Sequence, residues 1–362
     1  LDVGVVIMKI KLAILDKDKS YLNRIVTVFE VKYADKFEVY SFTDLSVAIQ
    51  TLSEVKIDVL IANDAFDVDV AKLPKRCGFA YFVDSPDIDM LNNQRTICKF
   101  QKADLIYKQI LSIYSENGGN ITGLKISDDS CKLVAFTSPC GGTGSSTMAA
   151  ACALHFAGQG KKTLYLNLEK YGSSDSFFSA EGQFDMSDII FALKSKKANL
   201  SLKLESSVKQ DNSGVYFYSQ TKVALDMLEL SADDILHLIS ELKLTGSYDY
   251  IVLDMEFELD KGYLDIYRKI NSIIVVGDGS EISNLKIFRG YNAIVTKEQE
   301  SDSSIANRMV LMYNKFSNKS SRALDDIELK SIGGAPRYEH ATTRQVLSQL
   351  SNLSVFDDIA SV

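Results

Sequence analysis

Positions 138–147 read Ser-Pro-Cys-Gly-Gly-Thr-Gly-Ser-Ser-Thr, residue types suited to holding phosphate. Pro139 and three glycines bar regular structure there. The apolar, β-branched run 133–137 precedes them, and 148–156 follows with the small apolar residues of a helix that packs on a sheet. Gly158 and Gly160 end that helix. Successive backbone N–H groups in such a turn, backed by a helix N-terminus, cradle an anion. Glycine is needed wherever φ is positive or the phosphate comes close. An ordinary strand-to-helix loop is the plainer reading of the same residues. A second signal lies about a hundred residues on, where the apolar strand 248–254 ends in Asp254, a position suited to a Mg2+ water.

Cys140-Gly141-Gly142-Thr143-Gly144-Ser145-Ser146-Thr147 resembles the deviant Walker A motif of the MinD/ParA family, K-G-G-x-G-K-[ST]-[ST]. The glycines and hydroxyls match and both lysines are gone. In that family the first lysine reaches the partner subunit's nucleotide and the second neutralises the β/γ-phosphates, so Cys140 and Ser145 leave two charges missing. The resemblance places a Mg2+ hydroxyl at Ser146, an α-phosphate contact at Thr147 and the Walker B acid at Asp254. It implies that ATP and Mg2+ are held by amides and metal, without fast hydrolysis.

The family's D-x-D strand end becomes Asn167 and Glu169, the second of which helps position attacking water; either is also an ordinary turn residue. Lys170 is a possible source of the lost charge, or an exposed strand-end lysine. The small, polar segment 171–183 suits a switch loop. Asn314 falls where the family reads adenine, with Pro336 and Arg337 in the loop that flanks the base. A side-chain amide both donates and accepts, which fits that task, although a turn asparagine fits equally well. After Asp254 the family continues with a small glycine-containing turn. Here Met255-Glu256-Phe257-Glu258 follows, which puts a γ-phosphate switch in doubt.

These residues need a sheet to position them, and the spacing of apolar runs predicts two. Strands at 9–15, 37–42, 59–62, 79–83 and 96–100 alternate with helices at 20–32, 45–52 and 103–114, the rhythm of a doubly wound sheet. The fold class is therefore α/β: two doubly wound three-layer domains, a receiver-like (flavodoxin-like) domain at 8–117 and a mostly parallel P-loop NTPase domain of MinD/ParA type at 132–362. The Gly-, Asn- and Asp-rich stretch 118–131 reads as a linker. The first domain resembles the receivers of response regulators at Asp16 and Lys99. Its phosphoacceptor position falls on Asn63, and Asp84 beside Ser85 replaces the hydroxyl. An amide forms no acyl phosphate, and Asp64, one residue on, faces the other side of the strand. Tyr81, Phe82 and Phe100 read as core.

A net charge of −8 argues against a nucleic-acid wrapper, and Lys194, Lys196 and Lys197 read as a solvated face. Five cysteines without C-x-x-C spacing and three scattered histidines argue against a disulfide framework or a structural metal site and fit a reducing, cytoplasmic compartment. Residues 1–8 are too short for a signal peptide. The tail 342–362 reads as one short helix without the cations of a membrane-binding one, so no direct membrane anchor is expected.

A degenerate receiver followed by a lysine-depleted MinD/ParA-type domain resembles the TadZ/CpaE family of pilus-assembly proteins. The resemblance implies an ATP- and Mg2+-binding homodimer formed through the nucleotide domain. It also implies docking of other pilus-assembly or polar-localisation proteins on the receiver-like domain, and recruitment to a cell pole or inner-membrane assembly site. The rival reading is a working ParA-like ATPase that positions DNA or another cargo; a third is a scaffold that has abandoned nucleotide. Small phosphodonors such as acetyl phosphate should leave the receiver-like domain unlabelled in intact-mass spectrometry, whereas stoichiometric labelling of Asp64 would restore receiver chemistry.

Overall fold

The computed structural model describes residues 9–117, 130–172, 174–195, 199–298, 305–325 and 327–361. The apolar start 1–8, most of the linker (118–129) and Lys196 and Lys197 lie outside them. The chain divides into two compact units, Leu1–Lys125 with Phe191–Ser207 and Ile126–Ile190 with Val208–Val362.

The first unit is a six-stranded sheet of β1 (Ile10–Leu15), β2 (Phe37–Phe42), β3 (Val59–Asn63), β4 (Gly78–Val83), β5 (Met90–Leu91) and β6 (Gln94–Cys98), in the order β2-β1-β3-β4-β6-β5. All neighbours are parallel except β5, which turns back on β6. Alternation along β1 sends Ile10, Leu12 and Ile14 to one face and Ala13 and Leu15 to the other. On the first face lie α1 (Lys19–Lys32), capped by Asp18, and α3 (Ala103–Glu116); on the second lies α2 (Leu45–Val55), capped by Asp44. The fourth crossover carries the β5 hairpin in place of a helix. Tyr81 and Phe82 are core, as expected, but Phe100 is 71% exposed because β6 ends two residues earlier.

The second unit is an eight-stranded sheet. Its strands are β7 (Lys132–Thr137), β8 (Thr163–Asn167), β9 (Lys209–Gln210), β10 (Tyr216–Phe217), β11 (Tyr250–Asp254), β12 (Ser272–Gly277), β13 (Met309–Phe316) and β14 (Ser331–Pro336). They run β14-β13-β12-β7-β11-β8-β10-β9, parallel except for β9. Helix α4 (Ser145–Gly158) follows β7 and is buried along Met148–Ala153, because alanines let it lie close on the strands. In chain order there follow α5 (Ser174–Phe177), α6 (Met186–Ser195), α7 (Leu200–Ser207), which belongs to the first unit, and then α8 (Leu225–Leu228), α9 (Ala232–Leu244), α10 (Lys261–Tyr267) and α11 (Glu281–Glu298) of the second. Ser231 opens α9 with a full capping box to Asp234.

The tail is two helices, α12 (Thr343–Leu350) and α13 (Val355–Ser361), where the sequence suggested one. Leu347, Leu350, Phe356 and Ile359 bury against α4, and His155 on α4 bonds the Ser351 carbonyl at 2.8 Å and Asp357 at 2.9 Å.

The domain boundary also differs from the sequence reading, which gave all of 132–362 to the nucleotide domain: Phe191–Ser207 groups with the first unit. The reason is visible in α3, where Ile106, Tyr107, Ile110, Leu111, Ile113 and Tyr114 are all buried, more of its circumference than one sheet covers. Helix α7 supplies the second cover. Leu202 joins the core, Lys203 Nζ lies 2.8 Å from Ser112 Oγ and 3.3 Å from Glu116, and Glu205 accepts the Tyr107 hydroxyl at 2.6 Å. Lys203 is 2% exposed, so its ammonium depends on those partners. Replacing Lys203 by Ala should cost about 2 kcal/mol in urea unfolding followed by circular dichroism. An unchanged midpoint would show that α7 does not hold the unit.

Candidate nucleotide-binding site

The carboxyl ends of the parallel strands carry the expected groups: the loop 138–144 after β7, Asn167 at the end of β8, Asp254 ending β11, Asn314 near the end of β13 and Pro336 ending β14. The loop turns through left-handed backbone at Gly142 (φ +81°) and Gly144 (φ +85°). A Cβ on Gly144 would stand 2.4 Å from the Asn314 amide nitrogen, so this glycine is needed for space as well as for φ.

The loop's outward carbonyls are taken. Cys140 O accepts from Ser138 Oγ (3.0 Å) and Thr143 Oγ1 (3.4 Å), Thr143 O from Asn314 Nδ2 (2.8 Å) and Gly142 O from Lys315 Nζ (2.8 Å). Ser138 Oγ also bridges to Val276 O at 2.7 Å, tying the loop to β12. The N–H groups are free: from Gly141 through Thr147 none meets an acceptor among the described residues, and α4 has no side-chain cap. Unsatisfied amides converging at a helix N-terminus make an anion site.

Beside this cradle is an acidic corner. Asp254 is fully buried; its Oδ2 accepts from Tyr165 OH (2.7 Å) and Asn167 Nδ2 (2.8 Å), and its Oδ1 has no partner. Ser146 Oγ donates to Glu169 at 3.2 Å, and Asn167 Nδ2 lies 3.4 Å from the same oxygen. Burial, and then the charge of Glu169, push the Asp254 carboxyl up to about 8; burial raises Glu169 as well. Among the described residues no group of three or more His, Cys, Asp or Glu is set to hold a metal alone. The orphan Asp254 oxygen and the Ser146 hydroxyl nevertheless fit Mg2+ that takes its other oxygens from phosphate and water.

Of the expected residues, Cys140–Thr147, Asn167, Glu169 and Asp254 come together. Asn314 is no turn residue: it sits within β13, 4% exposed, with its amide nitrogen spent on Thr143. Pro336 and Arg337 line a cavity of about 510 Å³ with Thr147, Asn314 and Lys315. Lys170 supplies nothing to the loop, because its ammonium pairs with Glu258 (2.5 Å) and Glu256 (3.2 Å), the residues by which the sequence departs from the family after Asp254. Part of the supposed switch segment is packed, since Phe178 is 2% exposed in the core. Sequence reasoning missed Ser138, Tyr165 and Lys315. A tyrosine two residues before a strand-end Asn, on the face that strand shares with it, was the available sign for Tyr165.

In the first unit, Lys99 pairs with buried Asp16 at 2.8 Å, and Asn63 accepts the Ala65 N–H at 3.2 Å. Asp64 is exposed. The ammonium of Lys99 also lies 3.7 Å from Asp84, so the receiver pocket is closed on itself by these ion pairs, with no carboxylate at the phosphoacceptor position.

A family profile described as "TadZ-like, receiver domain" matches residues 8–115. Residues 8–115 are a TadZ-like receiver domain. The rest resembles solved ParA and MinD structures. A ParA family ATPase from Chlorobium tepidum TLS is 20% identical, with 64% of this chain and 98% of that chain covered at a TM-score of 0.51. MinD from Pyrococcus horikoshii OT3 complexed with Mg-ADP is 14% identical, with 61% and 94% covered at 0.47. A MinC:MinD complex from Aquifex aeolicus is 15% identical, with 64% and 94% covered at 0.46. No curated protein matches the sequence. The ParA likeness fixes the fold of the second unit, and with the TadZ-like receiver before it the chain fits the TadZ/CpaE family. Among the described residues no helix is long and apolar enough to cross a membrane.

The acidic corner sets a pH dependence. Without metal, the folded protein keeps a proton on Asp254 that the unfolded chain releases near 3.8, so this group's contribution to stability falls as pH rises from 4 to 8. Mg2+ and nucleotide, if held beside Asp254, would favour its carboxylate and remove that penalty. The melting-temperature gain from Mg-ATP over EDTA should therefore widen between pH 6 and 8.5, by roughly 3 °C. Asp254→Asn, which does not titrate, should show a gain independent of pH.

Proposed function

We propose that the protein is an ATP- and Mg2+-binding dimer that recruits components of a Tad-type pilus or secretion apparatus, with the receiver-like domain as a docking module independent of phosphorylation. The observation that carries the nucleotide reading is the run of free N–H groups from Gly141 to Thr147, closed on one side by the buried Asp254. The amides receive the phosphates, Ser146 and Asp254 hold Mg2+, directly and through water, and the 510 Å³ cavity behind Thr147 takes the nucleoside. Bound Mg2+ neutralises phosphate charge that no lysine of this loop meets. Glu169 orients a water, while Asn167 lacks the charge to do so. Removing one preorganised charge donor costs on the order of 10² to 10³ in rate, and two are gone, so turnover is slow and occupancy is the signal. Dimerisation on ATP is inferred from the ParA-type fold, and recruitment to a pole or inner-membrane site through partners from the TadZ-like receiver.

A partitioning ATPase is disfavoured by the net charge of −8 and by the missing lysines. Adding Mg-ATP to the purified protein should raise its melting temperature by several degrees and shift sedimentation from monomer to dimer, with turnover that DNA does not stimulate. No melting shift and no change in mass would leave a scaffold that has given up nucleotide. DNA-stimulated hydrolysis would favour the partitioning motor.

A further inference from the structure

Helix α7 lies on α3 of the receiver-like unit, although the chain enters it from α6 and leaves it for β9, within the connection between β8 and β10. A permanent helix contact is mostly apolar, and this one is largely polar. Lys203 Nζ meets Ser112 Oγ and Glu116, and Glu205 meets the Tyr107 hydroxyl and, at 3.0 Å, the ammonium of Lys36. Just before α7, the Asn199 N–H donates to the Ser115 carbonyl at 3.4 Å. Of the α7 leucines, Leu202 joins the receiver core.

What α3 would keep without α7 decides whether the two can part. Glu116 keeps Arg95 at 3.0 Å, Ser112 Oγ donates to Glu116 at 3.3 Å, and Ser115 Oγ donates to the Ser112 carbonyl at 2.8 Å. All of these partners belong to the receiver-like unit. Lys36 has a third of its side chain in water already. Lys203 and Glu205, the charges that would leave, go with α7 into solvent. Departure of α7 therefore strands no buried charge on α3, and a stranded charge is what makes breaking a buried pair costly. It uncovers the slot of Leu202 and the Tyr107 hydroxyl.

Resting on the docking reading above, we propose that α7 is a built-in occupant of a helix-docking site on α3, and that a partner helix of the same chemistry displaces it. The partner presents an aliphatic side chain where Leu202 sits, a cation at the next position and a carboxylate two residues further on. The cation answers Glu116 and Ser112, and the carboxylate answers Tyr107 and Lys36. A helix with these charges reversed would set like charges against Glu116 and Lys36, which gives the site selectivity. Tethered at both ends, α7 competes at high effective concentration and keeps the site masked until a partner outbinds it.

The probe is a fluorescein-labelled peptide of residues 199–208. In the full chain, Leu202→Asp together with Lys203→Glu should vacate α3, and anisotropy should show the peptide binding this variant at least roughly tenfold tighter than the wild type, whose own α7 holds the site. A peptide carrying the same two changes should bind neither chain. Equal binding by both chains, or none by the variant, overturns the proposal. Hydrogen exchange needs no variant: in the wild type the α7 amides should exchange about 100-fold faster than those of β3 and β4, and rates equal to those strands would make α7 a fixed part of the unit and overturn the proposal as well. Should the double variant not fold, Glu205→Lys, which reverses only the Tyr107 and Lys36 contacts, is read in its place with the same outcomes. Peptide binding by the variant with its position in cells unchanged would keep the α3 site and end the docking reading. Absence of peptide binding would remove the α3 site alone.

Discussion

The turn from β7 into α4, with Gly142 and Gly144 both left-handed, leaves a loop whose carbonyls at Cys140, Gly142 and Thr143 accept protein donors while its N–H groups from Gly141 to Thr147 have no acceptor among the described residues. Buried carbonyls need donors. Here the donors are Ser138 within the loop and Asn314 and Lys315 from β13. The amide of Asn314 fits under the loop only because residue 144 has no Cβ. Loss of the lysines has thus not released the loop, since its shape is fixed by contacts that span more than 170 residues of sequence. That fixed shape is what keeps the amides of Gly141 to Thr147 free of protein partners and able to hold an anion.

The corner facing the cradle follows from the same economy of charge. Asp254, Glu169, Glu256 and Glu258 cluster near one strand end, and the nearby cation, Lys170, is drawn to the last two. Asp254 therefore stands with one oxygen held by Tyr165 and Asn167 and the other unpaired, in a site where burial favours its proton. The replacement of an acid by Asn167 is coherent with this arrangement. A third carboxylate beside Asp254 and Glu169 would add repulsion that no lysine offsets, whereas an amide donates to both.

Much of this was legible in the sequence wherever the signal is local. Alternating apolar runs gave the longer strands of the first unit to within a few residues, and the Gly-Gly-x-Gly-Ser-Ser run placed the loop between β7 and α4, whereas the short strands β5, β9 and β10 and the edge strand β14 carried no such signal. What was not legible depends on partners far along the chain. Helix α7 looked like any segment of the second domain until α3 was seen to need cover on a second face. Lys170 looked available until Glu256 and Glu258 took it. Asn314 fitted a turn as well as a base-reading position, and only the strand pairing decides where it sits. Burial of β13 on both sides carries the pairing on to Phe316 and turns Asn314 inward.

The same division explains why the receiver-like unit has kept its fold while losing its reaction. Phosphoacceptor chemistry needs one carboxylate at the end of β3, and Asn63 in that place bonds its own turn instead. The sheet does not depend on that carboxylate. It depends on the two apolar faces of β1, β3 and β4 and on the ion pair of Asp16 with Lys99, which is 8% exposed and so draws on a partner that desolvation makes necessary. The second unit differs in this respect, because its loop keeps amides without protein acceptors and Asp254 keeps an oxygen without a hydrogen-bond partner among the described residues.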